Sequence, residues 1–356
     1  MNKNRNPLLD IMKGISILLI VLGHSSFPMT HYVYLFHVAV FIILSGSFFK
    51  EEEIASKEQL KKYIIKKLKR LYIPYVIFNT VFVLLNNVFI NWHIYDLNAG
   101  HSYYAIADFA KNIFKILLFK GNAEIMGGTW FLELLFFISI LYASITYFLT
   151  TKKIKHKRYI HTFIALLFLL LGYYASINNI NILMRKQILT CYILFDIGTY
   201  LKEFQGLKNK TYALILACIL GVTLYLLNGI GEIEISKNIY TSPIFFVLCS
   251  IMGYFLVYLI STYCQRISLL NTVFSYVGVH TMSILILHFV AFKFATLLLI
   301  LIKHESILLL GRFPVAFKGE YYFIIYSVFG MVLPLIIERF WTDIFKKKKV
   351  GYKNEK

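Results

Sequence analysis

Stretches of about 20 apolar residues recur along this chain, and that repetition limits its fold more than any motif does. Ten are read: 10–28, 31–49, 72–91, 128–149, 159–177, 187–203, 211–228, 243–263, 277–302 and 321–343. In a bilayer the backbone must satisfy its own polar groups, and continuous runs of this length do so as helices. The composition agrees, at 58% hydrophobic and 15% charged. A soluble domain is nearer about half apolar and about a quarter charged. The expected fold class is all-α, a polytopic membrane helix bundle of about ten transmembrane helices, multi-pass in the cell membrane. The least regular runs are the sixth, interrupted by Asp196, and the ninth, which holds two His and a Lys.

The net charge of +19 suggests nucleic acid until its placement is considered. With a cytoplasmic N-terminus and alternating spans, 27 of the 37 basic residues fall inside. They include Lys3, Arg5, Lys13, the eight bases from Lys50 to Arg70, "KKIKHKR", Lys202, Lys208, Lys210, Arg266, Arg339 and the tail. This is the positive-inside bias of a membrane protein, so the expected partner is the bilayer and not nucleic acid. Both termini are expected to be cytoplasmic. Residues 1–345 read as one membrane domain and 346–356 as a basic cytoplasmic tail. "SSFPMTHY" after the first run offers no small-residue cleavage site, so that run reads as a retained helix.

Two loops carry their own signals. Ser56 and Gln59 form a capping-box pattern, after which Leu60, Ile64, Leu68 and Leu71 share a helix face among lysines. That predicts an amphipathic helix on the inner surface, entering the third span at Pro74. In the external stretch 92–127, "YYAIADFAKNIFKILLF" has helical apolar spacing and reads as an interfacial or re-entrant helix. The four cysteines, Cys191, Cys218, Cys249 and Cys264, lie in or beside apolar runs without metal-like spacing.

The first run, "DIMKGISILLIVLGHSS", carries Asp10, Lys13 and His24. Lys13 and His24 are eleven residues apart, almost three turns, so they share a face about 16 Å apart along the axis. Ionisable groups at membrane depth face a cavity or a partner and not lipid. His37, Glu133 and His288, from three other spans, fall at mid-to-outer depth, where they and His24 would form one polar pocket. Each histidine alone also reads as a hydrogen-bonded core residue, and Lys13 alone as a snorkelling anchor. No HxxxH or HExxH pair is present, so metal is not expected.

These residues lie in five blocks: "LLDIMKGISILLIVLGHSS", "YLFHVAVFIILSGSFF", "KKLKRLYIPY", "GGTWFLELLF" and "FSYVGVHTMSILILHF". In order and spacing the chain resembles acyltransferase family 3, the multi-span O-acyltransferases of surface polysaccharides and related sugars, and within it the fucose 4-O-acetyltransferase-like branch. The family pattern of a basic residue, ten residues and then His falls on Lys13 and His24. Lys stands where many members have Arg, which keeps charge but loses bidentate phosphate binding. A second family pattern, two bases three apart before the third span, falls on Lys67 and Arg70. Ala39 replaces a usual Pro. Some relatives add a C-terminal esterase-like domain, which is not expected here.

The resemblance implies an acyl-coenzyme A donor, most simply acetyl-CoA, with no permanently bound cofactor, and a glycan or lipid-linked sugar as acceptor. Lys13, Lys67 and Arg70 would clamp the phosphates at the inner surface, with Asp10 pairing a base there. Lys66 and Lys69 read as headgroup contacts. His24 would be general base for the attacking hydroxyl, or else a nucleophile carrying the acyl group. Glu133 is the second catalytic candidate, from its position alone. His37 and His288 would bind or position substrate, and Trp130 would stack on a sugar ring or anchor at the interface. A transporter or flippase for a glycan or small solute is the rival reading, though no inverted repeat supports it. A third is a non-catalytic subunit of polysaccharide export.

Overall fold

The structure is a computed structural model that describes residues 6–180, 186–204, 210–319 and 321–354. It is almost wholly helical. In chain order the helices are α1 (Pro7–His24), α2 (Thr30–Tyr34), α3 (His37–Ser47), α4 (Lys57–Lys67), α5 (Ile73–Leu84), α6 (Asn86–Asn91) and α7 (Ile106–Leu117). There follow α8 (Trp130–Thr151), α9 (Lys157–Ile177), α10 (Lys186–Leu201), α11 (Lys210–Asn228), α12 (Pro243–Cys264), α13 (Ser268–Val279), α14 (Thr281–Lys303) and α15 (Tyr322–Asn354). A two-residue hairpin, Ile233–Glu234 against Ile239–Tyr240, is the sheet among the described residues. The expectations on Lys3, Arg5 and Lys208, and on the side chains of Lys210 and of the 346–356 tail, lie outside the described residues.

Among the described residues, seven segments are long and apolar enough to cross a membrane: α1, α2 with α3, the stretch ending in α8, α9, α12, α14 and α15 up to Asp343. Gln187–Leu201, Tyr212–Asn228 and Ser268–Val279 are apolar but shorter. The expected third span, 72–91, is not one helix, because α5 stops at Leu84 and α6 restarts at Asn86. The ninth begins at Thr281 and not at 277, after the separate helix α13. The second breaks at Leu35–Phe36. There Phe36 is buried, and its side chain occupies the space a Cβ on Gly253 of α12 would need, 2.1 Å away. A chain without Cβ at that crossing is what lets the broken turn pack into α12.

The residues cluster into two compact units. The first comprises Met1–Ile20, Met29–Ile77 and Thr129–Gly278. In it α10 packs against α3 and α9, and α11 against α12. The predicted capping box is formed: Ser56 Oγ accepts from the Gln59 amide at 3.2 Å, and Gln59 Oε1 from the Ser56 amide at 3.0 Å. The helix after it widens into a π turn over Leu68–Tyr72. Pro74 has no N–H to return to Arg70 four residues back. The Ile73 N–H reaches five residues back to Leu68 instead. A single π turn of this kind re-aims the side chains it carries, here Lys69 and Arg70.

The second unit comprises Val21–Pro28, Phe78–Gly128 and Val279–Lys356. Here α14 packs along α15 and against a 3₁₀ turn, Ile307–Gly311. Buried Lys293 draws that turn in, donating to the carbonyls of Leu310 at 2.7 Å and Arg312 at 2.9 Å. Thr296 and Tyr326 share a hydroxyl contact at 3.0 Å, and His280 pairs with Glu338 at 2.9 Å.

Candidate functional site

The site residues divide between the two units. In the second, α1 delivers His24 as its last residue, half-buried. Its ring stacks on His288, with centroids 5.5 Å apart and planes 21° apart, and leans on Phe289 at 5.0 Å. His288 is fully buried in α14. Its Nδ1 lies 3.0 Å from both the Ile284 and Leu285 carbonyls. Two carbonyls can only accept, so Nδ1 carries the proton and the lone pair sits on Nε2. That Nε2 is buried with no hydrogen-bond partner among the described residues. An unsatisfied buried acceptor is costly unless something binds it, which marks a ligand-facing atom. Phe313 closes the aromatic wall, 4.7 Å from Phe289.

The "GG" before Trp130 has a role that sequence reading missed. Gly128 lies against His288: a Cβ there would come 3.0 Å from Cε1 and 3.1 Å from the Leu285 carbonyl. At Gly127 a Cβ would meet Phe289 at 3.4 Å and Phe313 at 3.5 Å. Gly128 lets backbone line the His288 ring directly, and Gly127 does the same for the Phe289–Phe313 wall. Two adjacent glycines ahead of a span were the available signal.

The first unit holds the remaining residues. At the start of α1, Asp10 is buried and pairs with Lys13 at 3.3 Å. Lys13 Nζ also lies 4.5 Å from the centre of the Phe48 ring. The base at this position is therefore held by a carboxylate and an aromatic face, as the expected pairing of Asp10 requires. Lys67 ends α4, half-buried, 5.2 Å from the Tyr63 ring. Burial, then the charges of Lys66 and Arg70, pushes its amine down to about 8. Arg70 projects from the π turn and is exposed. Beside them an open cleft of about 660 Å³ is lined by Lys50, Lys62, Lys66 and Tyr63. Lys66, read as a headgroup contact, instead pairs with Glu53 at 3.3 Å on this cleft.

His37 opens α3, buried, with Nδ1 donating to the Val33 carbonyl at 2.9 Å and its ring stacked on Tyr34 at 4.8 Å. Trp130, half-buried, opens α8 and meets Phe131 edge-on at 6.1 Å. Glu133 is buried in the first turn of the same helix. Of the four groups expected at one depth, His24 and His288 are brought together in the second unit, while His37 and Glu133 belong to the first.

One cluster was not expected at all. In the first unit Asp196 accepts from Tyr142 at 3.0 Å and Thr162 at 2.9 Å. His161 lies flat on Tyr142, with ring centroids 4.0 Å apart, and its two nitrogens contact Thr146 and Tyr192. The sequence showed Asp196 only as an interruption. Its partners come from α8 and α9, and every one is supplied by tertiary packing. Among the described residues no three His, Cys, Asp or Glu side chains converge as metal ligands.

The family model described as an acyltransferase domain matches residues 6–339, nearly the whole chain. No curated protein and no solved structure matches it.

Proposed function

The chain belongs to the acyltransferase-domain family, a membrane acyltransferase, and on that premise we propose that it moves an acyl group, most simply acetyl, from acyl-coenzyme A to a hydroxyl of a surface polysaccharide or lipid-linked sugar. The fucose 4-O-acetyltransferase-like branch is the closest description of that chemistry. The observation that carries the reading is the stacked pair His24–His288, with a buried, unpartnered imidazole nitrogen beside a half-buried one. That is a site with proton-accepting atoms.

In this reading the sugar oxygen attacks the thioester carbonyl carbon. The new carbon–oxygen bond forms, the carbon–sulfur bond breaks, and His24 takes the hydroxyl proton and hands it to the departing thiolate. His288 Nε2 accepts a hydrogen bond and so orients either the sugar hydroxyl or the His24 ring. The donor's phosphates are held by Lys13, by Lys67 at the end of α4 and by Arg70, which the π turn re-aims. The neighbouring cleft carries Glu52 and Glu53 as well as Lys50, Lys62 and Lys66, so its charge is mixed and it is not assigned to the donor. Lys13 and His24 stand on one continuous helix, so a slender acyl-pantetheine arm along α1 links phosphate binding to the reacting carbon. Glu133 stays the second candidate for the base, and His37 and Trp130 stay candidates for binding substrate.

Purified protein in bilayer discs, supplied with labelled acetyl-CoA and the native glycan, should transfer label to the glycan. Absence of any acyl-CoA-dependent transfer or hydrolysis would overturn the reading, and coupled movement of glycan across sealed vesicles without acylation would favour a flippase.

A further inference from the structure

The second unit contains a cavity of about 360 Å³ apart from the imidazole pair. Helix α7 forms one wall. Its apolar side, Ile106, Phe114 and Leu117, is exposed, as expected of a helix lying in the membrane interface. Its other side turns Asn112 and Lys115 into the cavity. The helix then ends in a Schellman turn: Lys120 N–H bonds the Lys115 carbonyl at 2.7 Å and Phe119 N–H that of Ile116 at 3.0 Å. The left-handed position of that turn favours glycine, yet it is Phe119, at φ 55° with its ring buried. The strained residue sets Lys120 on the cavity as a second cation. Neither Lys115 nor Lys120 has an ion-pair partner among the described residues.

The opposite wall is flat and polar. Tyr95 stacks on His101 with centroids 4.4 Å apart and planes 5° apart, and His101 Nε2 meets Glu124 Oε2 at 2.6 Å. Such a wall suits a sugar ring, with carboxylate and amide oxygens to accept its hydroxyls. The two ammonium groups give this side of the cavity a positive charge that favours an anion. Glu124 also opens the segment Glu124–Thr129 that carries Gly128 to His288, and the Asn79 side chain fixes its start by accepting from Ala123 N–H at 3.0 Å. Four residues of backbone, kinked at Met126, join the cavity wall to Gly128 beside His288.

We propose that this cavity is the acceptor subsite and that it takes an acidic sugar unit, one bearing a carboxylate or phosphate beside its hydroxyls, held by Lys115 and Lys120 against the Tyr95–His101 wall. The proposal rests on the acyl-transfer reading for the word acceptor, but the binding it predicts does not. Its test uses full-length protein in phosphatidylcholine discs, with glucuronate, glucose 6-phosphate and glucose as probes by ligand-observed NMR. The two acidic sugars should bind about tenfold more tightly than glucose, from charge-assisted contacts. Lys115→Ala/Lys120→Ala should abolish the difference while leaving acetyl-CoA binding unchanged. Both lysines are exposed, so the fold should tolerate the change. Equal binding of glucose, or an unaltered double variant, would overturn the proposal. So would phosphatidylglycerol discs silencing all three sugars, which would make the site a lipid headgroup contact. If acidic sugars bind but wild-type protein neither transfers nor hydrolyses the acyl group, the acyl-transfer reading fails and the subsite stands.

Discussion

The rings of His24 and His288 lie nearly parallel, 5.5 Å between centroids and 21° between planes, although 264 residues separate them in the chain. His288 is fixed by two backbone carbonyls through Nδ1, whereas His24 is the terminal residue of its helix and half-buried. One ring is thus fixed in orientation and tautomer, and the other is reachable. That division of labour is what an acyl transfer with a positioned base needs.

His24→Gln keeps a hydrogen-bonding group but cannot take a proton at neutral pH. Transfer should fall by about 10²-fold or more, with membrane abundance and acyl-CoA binding unchanged. Near-normal transfer would move the base elsewhere, Glu133 being next. Intact-mass measurement after acetyl-CoA alone decides the covalent alternative, since an acetylated His24 would show it acting as nucleophile.

His288→Gln should be milder than His24→Gln, by about an order of magnitude, because it loses orientation and not the proton acceptor. Gly128→Ala probes the same ring from the other side. Its Cβ would press on His288 Cε1 at 3.0 Å and the Leu285 carbonyl at 3.1 Å. Overpacking of this kind costs about 1–3 kcal/mol. Acyl transfer should drop while acyl-CoA binding stays normal; full activity in Gly128→Ala would remove His288 from the site.

Donor binding should depend on pH through Lys67. Burial and the neighbouring cations hold its amine near 8, below the ordinary 10.5. It is an ammonium below that value and neutral above it, so coenzyme A affinity should be steady near pH 7 and weaken as pH rises through 8 to 9. Lys67→Arg keeps its charge throughout and should flatten that limb. Calorimetry across this range checks it, and a limb unchanged in Lys67→Arg would assign the titration to another group.

Arg70→Ala and Lys13→Ala should each weaken coenzyme A binding by about tenfold or more, since hydrogen bonds to charged groups contribute about 1.5–3 kcal/mol. Unchanged affinity in both would return them to headgroup anchoring.

For topology, reporter fusions after residues 60, 155 and 350 should all read cytoplasmic. One external reporter would break the alternation of basic loops on which the inner-mouth assignment depends.

The sequence alone determined that the chain is a helical membrane protein, since uninterrupted apolar runs have few other solutions in lipid. It also determined the capping box at Ser56 and the existence of the helix at 106–117, because both rest on contacts within a few residues. It marked His24 and His288 separately, by their rarity in apolar runs. Tertiary structure decided what such local patterns cannot carry. The breaks at Leu35–Phe36 and Leu85 interrupt runs that read as continuous, and hydropathy does not register a turn whose polar groups are satisfied inside the protein. The Asp196 cluster and the Tyr95–His101–Glu124 wall draw partners from distant positions. The same holds for Gly128: a missing side chain has no hydropathy or charge to notice, and its use appears only when a buried imidazole occupies the space.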